Sequence, residues 1–190
     1  MSLYKSPLQQ LIEQYTKTEK HKVFLSYYHK ADEYYKKKFE ELFGHLYLSY
    51  TVEPNEFDSD NDDEYIKRCI QTDCMKEASV VIVLVGAKTY CRKHVDWEIS
   101  AGLSSKIGGA SGLLGICLPT NTDYFKQNFT SSITPPRLVD NITSGYAKYY
   151  NWTENEDMIK KIIDEAFDAR ISKKNLINNS RLQMIFDECS

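Results

Sequence analysis

Ser26, Tyr27, Tyr28 and His29 stand in a row at the end of an apolar run, Val23-Phe24-Leu25. A hydroxyl, two phenols and an imidazole can together hydrogen-bond a polyol and stack on a flat ring. Further along, Asp96-Trp97-Glu98-Ile99 places a carboxylate on either side of an indole. A third element, Pro135-Pro136-Arg137-Leu138-Val139-Asp140-Asn141, lies ahead of Gly145-Tyr146 and carries a guanidinium. Each residue also has an ordinary reading. Trp97 suits core packing as well as ring stacking, a lone helix glutamate is usually solvated, and a loop histidine is usually exposed. Side chains alternate along a strand, so one of Tyr27 and Tyr28 should face the core. Arg137 could clamp a phosphate, and reads better as an anchor to Asp140.

Other chemistries fail on inspection. Asp58, Asp60 and Asp62 occupy positions 1, 3 and 5 of a calcium loop, but position 6 is Asp63 rather than Gly and position 12 is Cys69 rather than Glu. A solvated acidic loop is the expectation, and no metal site is predicted. The glycines at 108, 109, 112 and 115 form neither GxGxxG nor a GK[ST] ending, and read as a turn. The histidines at 21, 29, 45 and 94 lack zinc-ligand spacing. Ser26 has no GxSxG context. The five cysteines include no CxxC pair and are read as reduced, buried hydrophobes.

Composition bounds the rest. The chain has 190 residues, 42% hydrophobic and 27% charged, with a net charge of −3. That fits one folded domain and predicts no nucleic-acid partner and no attraction to an anionic membrane. Residues 53–64 hold seven acids and no base, flanked by 8 basic and 6 acidic residues before them and 16 and 14 after. The longest apolar run, Val80 to Val85, falls far short of the ~20 residues a membrane span needs. No signal peptide is visible, so a cytoplasmic location is expected.

These groups need positioning elements. The patterning predicts helices over 3–18, 32–43 (with Gly44 as a C′ stop), 62–75, 95–105, 153–171 and 178–188. Strands are predicted over 22–27, 47–52, 79–85, 113–118 and 146–150, with 119–144 as a polar stretch. Alternating strands and helices predict an α/β flavodoxin-like fold with about five mostly parallel strands. The domain reading is a helical extension at 1–19, a domain at 20–171 and a helical tail at 172–190. Ligands of such sheets bind beyond the carboxyl ends of the strands, here the loops after Tyr27, Val52, Val85 and Leu118.

With these motifs in place, the chain resembles the Toll/interleukin-1 receptor (TIR) superfamily, in its bacterial branch. "VFLSYYHKAD" is similar to the family's first box, and "VVIVLVGAKTY…VDWEI" to its third strand and Trp/Glu helix. The acidic stretch 53–64 sits where TIR domains carry the BB loop. Trp97 directly before Glu98 departs from the common Ser-x-Trp-Cys-x-x-Glu pattern. The "PPRLVDN…GYA" element and the length resemble the TIR proteins of Thoeris anti-phage systems. The resemblance implies an NAD+ glycohydrolase or cyclase, with NAD+ as substrate and no further cofactor. It implies Glu98 as the catalytic carboxylate acting on the nicotinamide ribose, with Ser26, Tyr27, Tyr28, His29 and Trp97 binding substrate. It further implies a cyclic ADP-ribose-type product that activates a separate NAD-depleting effector, a phage trigger and self-association. Two other readings stand beside it: a non-catalytic TIR-like adaptor, and a flavodoxin-like enzyme acting on nucleosides.

Overall fold

The computed structural model describes residues 20–50, 75–104 and 109–189. The helices predicted at 3–18 and 62–75 and the acidic stretch 53–64 lie outside the described residues, apart from Met75.

Five strands form one parallel sheet: β1 (Lys22–Ser26), β2 (Leu48–Tyr50), β3 (Val80–Val85), β4 (Gly112–Cys117) and β5 (Lys148–Asn151). Their order is β2-β1-β3-β4-β5, the flavodoxin-like doubly wound order, and every neighbouring pair is parallel. The four described helices are α1 (His29–Phe43), α2 (Lys93–Leu103), α3 (Pro136–Thr143) and α4 (Glu156–Ser172).

The strand period of two divides the core. Val23, Leu25 and Tyr27 face α1 and α4, together with Ile82, Leu84 and Ile116. Phe24, Val81, Val83 and Val85 face α2 and α3, with Trp97, Ile99 and Leu138. β3 is buried along its whole length, which is why its sequence is an unbroken apolar run. α4 presents Ile159, Ile162, Ile163, Ala166 and Ala169, a stripe at helical spacing, to the sheet. The Asn155 side chain caps it by accepting from the Met158 amide at 2.8 Å. Gly112 lets α4 approach, since a Cβ there would lie 1.9 Å from the Ala166 carbonyl oxygen.

Several sequence expectations are corrected. Gly44 is a right-handed C-cap at φ −59° rather than a left-handed C′ residue. Gly112 and Gly115 belong to β4, not to a turn. The polar stretch 119–144 contains α3, opened by Pro136 in its first turn, where the missing N–H costs nothing. No helix forms over 178–188; a short 3₁₀ turn at Lys174–Leu176 leads into a non-helical strap that crosses α2 and α3. The cysteines are not all reduced thiols. Cys91 and Cys189, 98 residues apart in sequence with Cα atoms 5.6 Å apart, form a disulfide. Cys117 is free and buried.

Candidate active site

The strand order reverses between β1 and β3, so their carboxyl ends open onto a crevice. Ser26 ends β1 and points, like Phe24, toward the α2 side of the sheet. Glu98 comes from the second turn of α2 and meets it: Ser26 Oγ donates to Glu98 Oε2 at 2.5 Å. These two residues, 72 apart in sequence, are thereby brought together as one buried pair. Glu98 is only 4% exposed. Burial raises its pKa to about 8, and the Ser26 hydrogen bond offsets only part of that rise. At pH 7 the carboxyl is therefore mostly neutral in this closed arrangement.

Next to the pair is a cavity of about 270 Å³ lined by Tyr27, Tyr28, His29, Lys30, Arg92, His94, Val95 and Asp187. Neither Ser26 nor Glu98 lines it: Ser26 directly precedes Tyr27 in the chain, and Glu98 follows His94 and Val95 by one helical turn. Both tyrosines line this cavity. Tyr27 is buried, its hydroxyl donates to Glu33 Oε2 at 2.7 Å, and its ring lies 4.3 Å from that of His29. The Arg92 guanidinium covers the Tyr28 ring, 3.9 Å from its centroid.

Trp97 is the residue that does not join the site. It is 1% exposed within the core, and its Nε1 donates to the Met184 carbonyl at 2.7 Å. Adjacent helix residues point about 100° apart, so a helix that aims Glu98 at Ser26 turns Trp97 toward the strap. The expected stacking role for Trp97 is thus replaced by packing in this conformation. Arg137 likewise does not pair with Asp140. It is fully buried and makes a two-pronged ion pair with Asp96, at 2.8 and 3.2 Å. Its remaining N–H groups donate to Asn179 Oδ1 and to the Arg181 and Leu182 carbonyls, while Asp140 pairs with Arg181.

Three residues escape the sequence reading. Asp32, in the first turn of α1, is fully buried beside the crevice, where Thr89 and Thr120 donate to it. Burial raises its pKa against those two hydrogen bonds. Gly86, just after β3, permits this, because a Cβ there would lie 2.2 Å from Asp32 Oδ1. Arg92, in mid-chain, and Asp187, 95 residues later, complete the cavity wall. Asp32 ends the "VFLSYYHKAD" motif and could have been found there; no local signal joins Asp187 to Arg92.

Among the described residues no group of His, Cys, Asp and Glu side chains could hold a metal ion, and no helix is long and apolar enough to cross a membrane. The search of curated proteins finds no match. The family model described as "Thoeris protein ThsB, TIR-like domain" matches residues 24–123, more than half of the chain. That span runs from β1 through the Glu98 helix to the loop beyond β4, the same stretch whose parallel sheet builds the crevice, and the chain belongs to the ThsB TIR-like family of Thoeris defence proteins.

Proposed function

We propose that this protein cleaves NAD+ at the bond between nicotinamide and ribose, with Glu98 as the catalytic carboxylate. The observation that carries the reading is the buried Ser26–Glu98 pair at the carboxyl end of β1, in a chain of the TIR-like family. As the C1′–N bond breaks, its electron pair leaves with the ring nitrogen and discharges the pyridinium. No general acid is needed. The ribose is left with oxocarbenium character, as in glycoside hydrolysis. Glu98 has to give up its proton for this role: in its ionised form, held against the ribose hydroxyls, it stabilises that positive charge. Ser26 orients Glu98, while Tyr27, Tyr28 and His29 offer ring faces and hydrogen bonds at the cavity. Trp97 acts by packing α2 rather than by touching substrate. Capture of C1′ by water yields ADP-ribose and a proton; capture by an atom of the same ADP-ribose yields a cyclic product. Such a product would signal to a separate NAD-depleting effector in anti-phage defence, in the cytoplasm and on a phage trigger. Self-association would complete the site.

The closed state of Glu98 favours a second reading, a non-catalytic adaptor, because a 4% exposed acid meets no solute as it stands. Incubation with NAD+ in extract of phage-infected cells, followed by chromatography, separates the two. An enzyme releases nicotinamide, and Glu98→Gln slows release by about 10²- to 10³-fold, the usual loss for one charge-stabilising group. Identical traces for both proteins would leave the adaptor.

A further inference from the structure

We infer that residues 185–189 are a thiol-controlled latch that holds Asp187 in the wall of the cavity near Glu98. The inference rests on the NAD+-cleaving reading for what the cavity admits.

The strap has two unlike parts. Up to Met184 it satisfies buried groups. It accepts three hydrogen bonds from Arg137, takes the Trp97 indole N–H, and gives the Met184 amide to Asp96 Oδ2 at 2.9 Å. Lifting this part would strand a buried guanidinium and a buried carboxylate, so it stays. Beyond Met184 the hold changes. Ile185 and Phe186 turn their side chains to solvent. Asp187 Oδ2 accepts from Arg92 Nη1 at 2.8 Å and Oδ1 accepts from the Lys93 amide at 2.9 Å. The Glu188 amide donates to the Cys91 carbonyl at 3.0 Å, and Cys189 closes the disulfide to Cys91.

Besides the disulfide, one ion pair, its carboxylate half-exposed, and hydrogen bonds from the Lys93 amide, from the Glu188 amide and from Arg92 Nη1 to the Cys189 carbonyl hold these five residues. The disulfide makes the attachment permanent by fixing Asp187 within reach of Arg92. That contact matters for the cavity. Its lining includes the basic side chains of Lys30 and Arg92, and among the described residues that line it Asp187 is the acid. With Asp187 seated, Arg92 and the first amide of α2 are occupied by an internal carboxylate, and an incoming diphosphate meets its repulsion. With Asp187 withdrawn, the same wall offers cations and the Tyr27 and Tyr28 rings to a ligand carrying phosphates and flat bases.

Opening needs a two-electron reductant of the dithiol class. The S–S bond breaks, Cys91 and Cys189 each gain an electron and a proton, and the dithiol leaves as its own disulfide. Residues 185–189 then move, with Met184 as the last fixed point before them.

The test uses the full-length protein, oxidised and after dithiothreitol, with Cys189→Ser and Asp187→Asn beside it. Amide exchange at Lys93 reads release, and diethyl pyrocarbonate labelling of His29 reads access to the cavity. Reduction and Cys189→Ser should speed Lys93 exchange by about tenfold or more, as losing a hydrogen bond to a charged group would. His29 labelling and nicotinamide release should rise with it, and Asp187→Asn should raise both without reduction. Equal exchange in oxidised and reduced protein overturns the latch. So does faster exchange with His29 labelling unchanged, or with NAD+ turnover present and unchanged. Faster exchange and labelling with no nicotinamide released by any form keeps the latch and removes the NAD+ reading instead.

Discussion

Glu98 sets two opposing effects against each other, and their sizes decide its state. Desolvation raises its pKa, the Ser26 hydroxyl lowers it, and the result is about 8. Folded protein therefore holds this proton between roughly pH 4.5, where the unfolded chain loses it, and pH 8. Because the folded state binds more protons across that window, stability falls as pH rises through it. Glu98→Gln removes the ionisation, so its melting temperature should gain on wild type from pH 5 to pH 8. The matching gain in unfolding free energy at pH 8 should be on the order of a few kcal/mol. A constant difference across that range would mean Glu98 is already ionised in the folded protein. The same residue shows what sequence can and cannot say. Motif resemblance singled out Glu98, and the period of two in β1 predicted that Tyr27 or Tyr28 would turn inward. Trp97 stood open between core packing and ring stacking, and it packs, because an adjacent position on a helix is not an adjacent direction.

At the level of elements, α2 is unusual in being buried from Val95 to Leu103 on every side. Its sheet face carries Glu98, and its outer face carries Asp96 and Trp97 under the strap. A helix buried all round has no polar face to mark its orientation in the sequence. β3 and β4 were legible because runs such as VVIVLV have one plausible home. α3 was hidden, since eight residues opened by proline within an Asn- and Thr-rich stretch look like loop. The strap was unreadable for a different reason: its partners lie far away in sequence. Gly112 tests the packing of α4. Gly112→Ala would drive a Cβ into the Ala166 carbonyl and should cost about 1–3 kcal/mol, read by urea unfolding. An unchanged midpoint would show that α4 can retreat at no cost.

For the whole molecule, the doubly wound sheet gathers distant chain segments at the β1/β3 crevice, and the strap ties them in place. The Asp96–Arg137 pair is the joint between α2, α3 and the strap. Arg137→Ala leaves the Asp96 carboxylate buried without its guanidinium partner, which should destabilise the fold by about 3–5 kcal/mol. Replacing both residues with apolar side chains of similar volume should recover much of the loss, and a double variant as unstable as the single would show the charge itself is required. Fold class followed from alternating strands and helices alone. The pairing of Ser26 with Glu98 and of Arg92 with Asp187 did not, because the partners lie 72 and 95 residues apart in sequence. The most direct measurement of the central claim is nicotinamide release from NAD+ by pre-reduced protein in infected-cell extract, wild type against Glu98→Gln. Release by wild type, reduced about 10²-fold or more by the substitution, is the predicted result. Equal release by both proteins, or none by either, would contradict it.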